Sequence, residues 1–267
     1  MTQGFTVRTD NFDNRFGGTQ RLYGVEGLQK INAAHVAVVG LGGVGSWIVE
    51  ALARSGIGKL SLYDLDDICV SNTNRQIHAV TGQYGQSKSL AMEQRVKLIN
   101  PDCVVNAVED FVVKENLAEY LTNDLDYVVD ATDSVLSKAA MIAHCKRNKI
   151  RIVTIGGAGG QLDPTQIKVA DLAKTIQDPL LAKVRNTLRR EYNFSKNTKR
   201  KFGVEAIYST EQLKYPTACG ETSLAKPENG EVAKLDCATG FGAATVVTGT
   251  FGFFAASLVL NRVSGNK

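Results

Sequence analysis

The sequence predicts an α/β fold: a mostly parallel sheet with helices on both faces, plus a smaller irregular carboxyl-terminal part. Three observations predict it. Short apolar runs alternate with helix-period segments through residue 155, the first of those runs leads into a glycine-rich turn, and the alternation weakens beyond residue 155. Alternation of this kind marks βαβ units and a parallel sheet.

Taken in order, the strands are predicted at 36–39, 60–63, 104–108, 127–130 and 150–155. Helices are predicted at 44–55, 87–99 and 134–148. In the second, Met92, Val96 and Ile99 fall on one face, and Pro101 stops the chain. After the run Gly156-Gly157-Ala158-Gly159-Gly160 come a strand-like 166–169, a basic run at 183–201, and a loop at 214–232 rich in Pro, Gly and Thr. The organisation reads as an amino-terminal arm at 1–30 that makes a dimer contact, a nucleotide-binding region at 31–170, and residues 171–267 completing the same domain. That last part holds the basic helix and loop, a crossover loop and an apolar terminal helix.

With 43% hydrophobic and 22% charged residues, the chain has material for a packed core. A net charge of +4 permits an anionic partner without requiring one. The five cysteines are odd in number, scattered, and form no Cys-x-x-Cys pair, which argues against a disulfide framework or a structural zinc and for a reducing cytoplasm. The amino terminus lacks the basic start and apolar run of a secretory signal. Residues 241–260 are apolar and long enough for a bilayer. Gly242, Gly249, Gly252 and three threonines interrupt them, so they read as a buried helix, with membrane association as the competing reading.

The chemistry starts at Gly40-x-Gly42-Gly43-x-Gly45, directly after the 36–39 strand and opening a helix. Glycines there allow a tight turn, and amides at a helix amino terminus attract phosphate. Asp64, at the end of the next strand, is placed to accept from ribose hydroxyls. Together these predict a Rossmann-like nucleotide site, equally compatible with a nicotinamide or flavin dehydrogenase. The following residues favour ATP: Asp64-Leu65-Asp66-Asp67, then Ser71-Asn72-Thr73-Asn74-Arg75-Gln76, then Lys88 opening a helix. Asn72, Arg75, Gln76 and Lys88 supply donors for a β,γ-diphosphate held as a leaving group. Asp130 and Asp133 lie at the carboxyl edge of the fourth strand, where a carboxylate can hold Mg²⁺ against phosphates, or cap the next helix.

This order of motifs closely resembles the ubiquitin-activating-type adenylyltransferase superfamily. The resemblance implies that Asp64 binds ribose, that Asn72, Arg75, Gln76 and Lys88 hold the triphosphate, that Asp133 binds the metal, and that Arg75, Lys88 and Asp133 are catalytic. Within that superfamily the chain looks most like the tRNA threonylcarbamoyladenosine dehydratases. The similarity runs from Arg15 to Arg262 and includes Arg15–Gly24 (RFGGTQRLYG), Thr73–Ala79 (TNRQIHA), Gly156–Thr165 (GGAGGQLDPT), Asp171–Pro179 (DLAKTIQDP) and Asp236–Thr245 (DCATGFGAAT). It implies ATP-dependent cyclisation of N6-threonylcarbamoyladenosine beside the tRNA anticodon through an acyl-adenylate, in a homodimer using ATP and Mg²⁺.

Two other functions compete. One is activation of a ubiquitin-like sulfur carrier, disfavoured because the zinc-binding Cys-x-x-Cys pairs of those relatives are missing. The other is a nucleotide-binding regulatory or membrane-associated module without turnover. Where carrier-activating relatives place an arginine across the dimer, this chain has Gly18, leaving Arg15 or Arg21 for that role. Arg189, Arg190, Lys199, Arg200 and Lys201 are candidate tRNA contacts, since 183–201 holds eight Lys or Arg against Glu191; the alternative is a solvated charged face. Cys219 and Cys237 are candidate thiols toward a sulfur-transfer or redox partner, against the reading of inert cysteines. His35, His78 and His144 read as structural, with His78 also a candidate for the pocket wall.

Overall fold

A computed structural model describes residues 11–217, 220–225 and 241–266. The chain runs α1 (Phe12–Ala33), β1 (His35–Val39), α2 (Gly45–Arg54), β2 (Lys59–Tyr63), α3 (Lys88–Ile99), β3 (Val104–Val108), α4 (Leu117–Tyr120), β4 (Tyr127–Asp130), α5 (Val135–Asn148) and β5 (Ile152–Ile155). It continues through β6 (Ile167–Asp171), α6 (Pro179–Glu191), β7 (Glu205–Ser209), a small hairpin of β8 (Tyr215–Pro216) and β9 (Thr222–Ser223), and α7 (Thr245–Ser264). The main sheet has the order β3-β2-β1-β4-β5-β7-β6, parallel except for the antiparallel β6–β7 pair.

Every residue of β1 is buried, because the sheet is covered on both sides. Val36 and Val38 point into a core shared with α2, α3 and α7, while Ala37 and Val39 point into a core shared with α5 and α6. The chain builds outward from β1 to β3, then restarts on the other flank at β4. That reversal opens a crevice beyond the carboxyl ends of β1 and β4, where ligands bind in such sheets.

The amino-terminal arm is largely α1, two helical pieces joined at Gly24 (φ 78°, ψ 168°). Phe12 and Phe16 anchor it beside Gly56, where a Cβ would stand 3.2 Å from the Phe16 ring. The predicted strand at 150–155 starts two residues late. Lys149 takes a left-handed conformation (φ 60°) to end α5, and the Ile150 amide returns to the Cys145 carbonyl, so the turn consumes residues 150–151.

Helix α7 packs along α2. A Cβ at Gly252 would stand 2.8 Å from Trp47 Cβ and 3.0 Å from the Val44 carbonyl oxygen, so only glycine permits this approach. Among the described residues it is the one helix long and apolar enough to cross a membrane, yet half of that stretch is buried in the domain. Val246, Phe253 and Phe254 remain exposed on its outer side.

Candidate nucleotide-binding site

The glycine turn between β1 and α2 has no room for a side chain at Gly40 or Gly45. Gly40 adopts φ 86°, and a Cβ on it would meet the Ala131 carbonyl at 3.0 Å; a Cβ on Gly45 would lie 1.8 Å from the Gly40 oxygen. β1 therefore turns tightly into α2 through residues 40–44, beyond the carboxyl end of the strand. Asp64 fixes this loop from β2: Oδ2 accepts from the Leu41 amide at 2.6 Å and Oδ1 from the Asp66 amide at 2.9 Å. Burial raises its carboxyl above the usual range, against the opposing pull of Lys88.

The predicted polar string closes over the same turn. A Cβ at Gly43 would stand 3.2 Å from Arg75 Cγ, and one at Gly42 would stand 3.8 Å from Gln76 Nε2. Arg75 is held by its own segment, donating to the Ser71 carbonyl at 2.8 Å and to Asn74 Oδ1 at 2.9 Å, while its carbonyl accepts from Trp47 Nε1 at 3.0 Å. Gln76 Oε1 is buried without a partner. Asn72 is buried, and its Oδ1 accepts from the Cys69 amide at 3.0 Å. Lys88, at the start of α3, is 5% exposed and its Nζ sits 2.8 Å from Asp66 Oδ2 and 4.0 Å from Asp64 Oδ1. Two acidic neighbours and one ammonium thus stand beside the loop where phosphates would arrive.

Asp130 departs from the prediction. It is fully buried, its Oδ2 lies 3.1 Å from Lys138 Nζ and accepts from Thr154 Oγ1 at 2.7 Å, and its Oδ1 accepts from Thr132 Oγ1 at 2.8 Å. All of its accepting capacity is committed within the core, so it buttresses the crevice floor. Nor does it cap α5, since Ser134 Oγ accepts from the Ser137 amide there. Sequence reasoning missed Lys138. A lysine beside Ala139, Ala140, Met141 and Ile142, in a helix that follows a strand ending in aspartate, was the available signal. Asp133 is exposed at the mouth.

His78 is 4% exposed, with neither ring nitrogen partnered; burial, with Lys88 and Arg95 nearby, lowers its pKa to about 4. His35 bonds Asp124 and Ser61, and His144 bonds the Leu121 carbonyl, so both are structural. Burial pushes the Cys103 and Cys145 thiols up to about 12, leaving them inert. Cys219 and Cys237 lie outside the described residues, as do 226–240. Arg15 donates to the Ile99 carbonyl at 3.2 Å, beside Arg54 and Arg95. Arg54 ends α2, a helix that begins at the glycine turn, so Arg15 lies at the opposite edge of the sheet from its own crevice.

Of the basic candidates, Lys199, Arg200 and Lys201 are exposed in the segment after α6. Arg190 is exposed and paired with Glu191 at 3.0 Å. Arg189 is partly diverted into packing, 5.3 Å over the Phe202 ring.

The family model of the ThiF family matches residues 18–267. The chain belongs to the ThiF family. It is 56% identical over 266 residues to a Haemophilus influenzae tRNA threonylcarbamoyladenosine dehydratase, covering 99% of both chains. It is 54% identical over 257 residues to the Escherichia coli enzyme of the same name, covering 96% of each. The crystal structure of the Escherichia coli dehydratase in complex with ATP superposes with a TM-score of 0.86 at 52% identity, covering 97% of both. The α/β fold expected from the sequence is therefore that of these dehydratases.

Proposed function

We propose that this chain uses ATP to activate the threonine carboxylate of N6-threonylcarbamoyladenosine in tRNA and closes it into a cyclic form with loss of water. The observation that carries the reading is the glycine turn pinned by Asp64 and overlaid by Arg75 and Gln76, in a chain similar over nearly its whole length to dehydratases of that name. ATP occupies the crevice in this reading, its ribose against Asp64, and Asn72, Arg75, Gln76 and Lys88 face the triphosphate.

A carboxylate is a poor electrophile. Its oxygen attacks the α-phosphorus, pyrophosphate departs, and the resulting acyl-adenylate carries AMP as a good leaving group. A nucleophilic atom of the same threonylcarbamoyl group then attacks the acyl carbon and AMP leaves. Ring closure is intramolecular, so positioning supplies much of the rate. Arg75 and Lys88 stabilise the charge that gathers on the departing pyrophosphate. For Lys88 this means exchanging part of its pairing with Asp66 for phosphate.

The donor set fits Mg²⁺ only in a phosphate-completed form. No group of three metal-binding side chains occurs among the described residues, and Asp130 is committed to Lys138. One exposed carboxylate, Asp133, with phosphates and water completing the shell, is the arrangement Mg²⁺ usually takes in phosphoryl-transfer sites. Bound there it would neutralise phosphate charge.

The exposed cations Lys199, Arg200 and Lys201, with Arg190, form the backbone-binding surface for tRNA, and Val246, Phe253 and Phe254 of α7 form the contact of a homodimer. The alternative, a ubiquitin-like carrier as substrate, lacks the support of a Cys-x-x-Cys pair, since none occurs in the sequence. ATP–pyrophosphate exchange, measured with threonylcarbamoyl-modified tRNA, unmodified tRNA and sulfur-carrier proteins in separate reactions, tests the reading. Exchange with modified tRNA alone is expected; exchange with a carrier alone replaces the substrate, and exchange with none refutes the activity.

A further inference from the structure

A second cavity of about 410 Å³ lies between the first turns of α6 and the β8–β9 hairpin, lined by Gln177, Asp178, Arg185, Gln212, Leu213 and Tyr215. It stands at the same edge of the sheet as the nucleotide crevice. Asp178, which caps α6 by accepting from the Leu181 amide at 2.8 Å, also accepts from the Gly157 amide at 2.9 Å, just past the end of β5. A Cβ at Gly156 would fall 1.9 Å from that carboxylate, which explains glycine there.

Hydrogen bonds join the two sites. Asn74 Nδ2 donates to the Ala243 carbonyl at 2.9 Å, the Gly160 amide donates to the Gly242 carbonyl at 2.8 Å, and the Lys214 amide donates to the Gly160 carbonyl at 2.8 Å. A continuous wall therefore runs from the Arg75 segment to Tyr215.

Arg185 is the unusual group in this cavity. It is half-buried, and its guanidinium donates to the neutral Thr175 hydroxyl. No carboxylate among the described residues forms an ion pair with it. Burial and the neighbouring charge of Arg189 both disfavour its cation, and only the more distant Asp178 favours it. A guanidinium remains charged in a protein, so a desolvated one without an anionic partner is a costly arrangement that an incoming anion relieves. Its planar fork suits a phosphate oxygen pair.

The anion is not the ATP triphosphate. Two to three strand spacings of about 4.8 Å separate β1, which carries the glycine turn, from β5 and β7, whose carboxyl ends lead to Gly157 and Gln212 beside this cavity. That separation suits a neighbouring nucleotide of the same RNA strand. We infer that this cavity receives a backbone phosphate of the RNA substrate next to the reacting nucleoside, gripped by Arg185 and aimed by Thr175. The inference rests on the function proposed above, and it assigns Arg185 as a positioning residue.

The test compares Arg185→Gln and Arg185→Lys with wild type in the full-length protein at saturating ATP. Two substrates are used: modified tRNA, and the free N6-threonylcarbamoyladenosine nucleoside, which lacks phosphate. Arg185→Gln is expected to weaken tRNA binding about tenfold, as loss of a charge-assisted contact does. The slope of log affinity against log salt should fall by about 0.7 to 0.9, one phosphate contact. Arg185→Lys should restore the slope with only part of the affinity. ATP affinity and nucleoside turnover should be unchanged in both. Unchanged tRNA affinity in Arg185→Gln, or an equal loss with the phosphate-free nucleoside, overturns the inference while leaving the activity standing. A wild-type protein that acts on neither substrate overturns both.

Discussion

Replacing Lys138 by methionine separates the buttress of the crevice from its ligand contacts. In the folded protein the ammonium and the Asp130 carboxylate are both fully buried 3.1 Å apart, and Thr154 and Thr132 complete the carboxylate's bonds. Removing the lysine strands a carboxylate in the core, which costs about 3–5 kcal/mol. For a domain of this size each kcal/mol lowers Tm by roughly 2–4 °C, giving a fall of roughly 6–20 °C. Urea unfolding followed by far-UV circular dichroism measures the loss, and an ATP titration well below the new midpoint measures the site. Stability is expected to fall by that amount with ATP affinity unchanged. Pairing Lys138→Met with Asp130→Leu should recover most of the loss, because an apolar pair of similar volume often equals a buried ion pair. A loss below about 1 kcal/mol would contradict the buried-pair energetics. Lost ATP affinity with stability intact would instead return Asp130 to the ligand set.

Other substitutions probe the rest of the site. His78 should make stability depend on pH between its unfolded pKa of 6.5 and its folded value of about 4. Its folded form resists protonation, so the unfolded chain binds more protons in that window, and stability present above it is lost as pH falls through it. The full effect is about 3 kcal/mol at 1.36 kcal/mol per unit; His78→Leu should flatten the slope in urea midpoints collected from pH 4 to 7, and an unaltered slope would assign it to other groups. Gly45→Ala forces a Cβ to 1.8 Å from the Gly40 oxygen, so calorimetry should find ATP binding abolished; retained binding would mean that the turn is not the phosphate cradle. Changing Lys199, Arg200 and Lys201 together to alanine should weaken tRNA binding and lower its salt slope by about 2 to 3 without altering ATP affinity; unchanged tRNA affinity removes that surface. Phe253→Glu on the exposed side of α7 should give monomers in sedimentation velocity at concentrations where wild type is dimeric, and an unshifted dimer would place the interface elsewhere.

The central strands were legible because each is a short apolar run between helical segments, buried on both sides. The glycine turn was legible for a related reason: Gly40 combines a positive φ with close approach to the Ala131 carbonyl, and Gly45 lies against the Gly40 carbonyl, so a side chain fits at neither. Where tertiary context decides, the sequence was silent. Helix α1 hides behind Gly17, Gly18, Gly24 and Gly27, and owes its position to Phe12 and Phe16 packing on Gly56. Strand β7 (EAIYS) has no apolar periodicity of its own and exists because β5 and β6 flank it. Asp130 looked like a ligand from its place at a strand end, since nothing local announces that Lys138 folds back on it from α5.

On this reading the chain dehydrates a threonylcarbamoyl nucleoside in tRNA at the expense of ATP. Nucleoside mass spectrometry of modified tRNA incubated with the protein and ATP measures that conversion directly. A nucleoside lighter by one water is expected, formed only with ATP, accompanied by AMP and pyrophosphate, and lost in Arg75→Ala. An unchanged nucleoside mass under conditions where the protein binds both ATP and tRNA would contradict it.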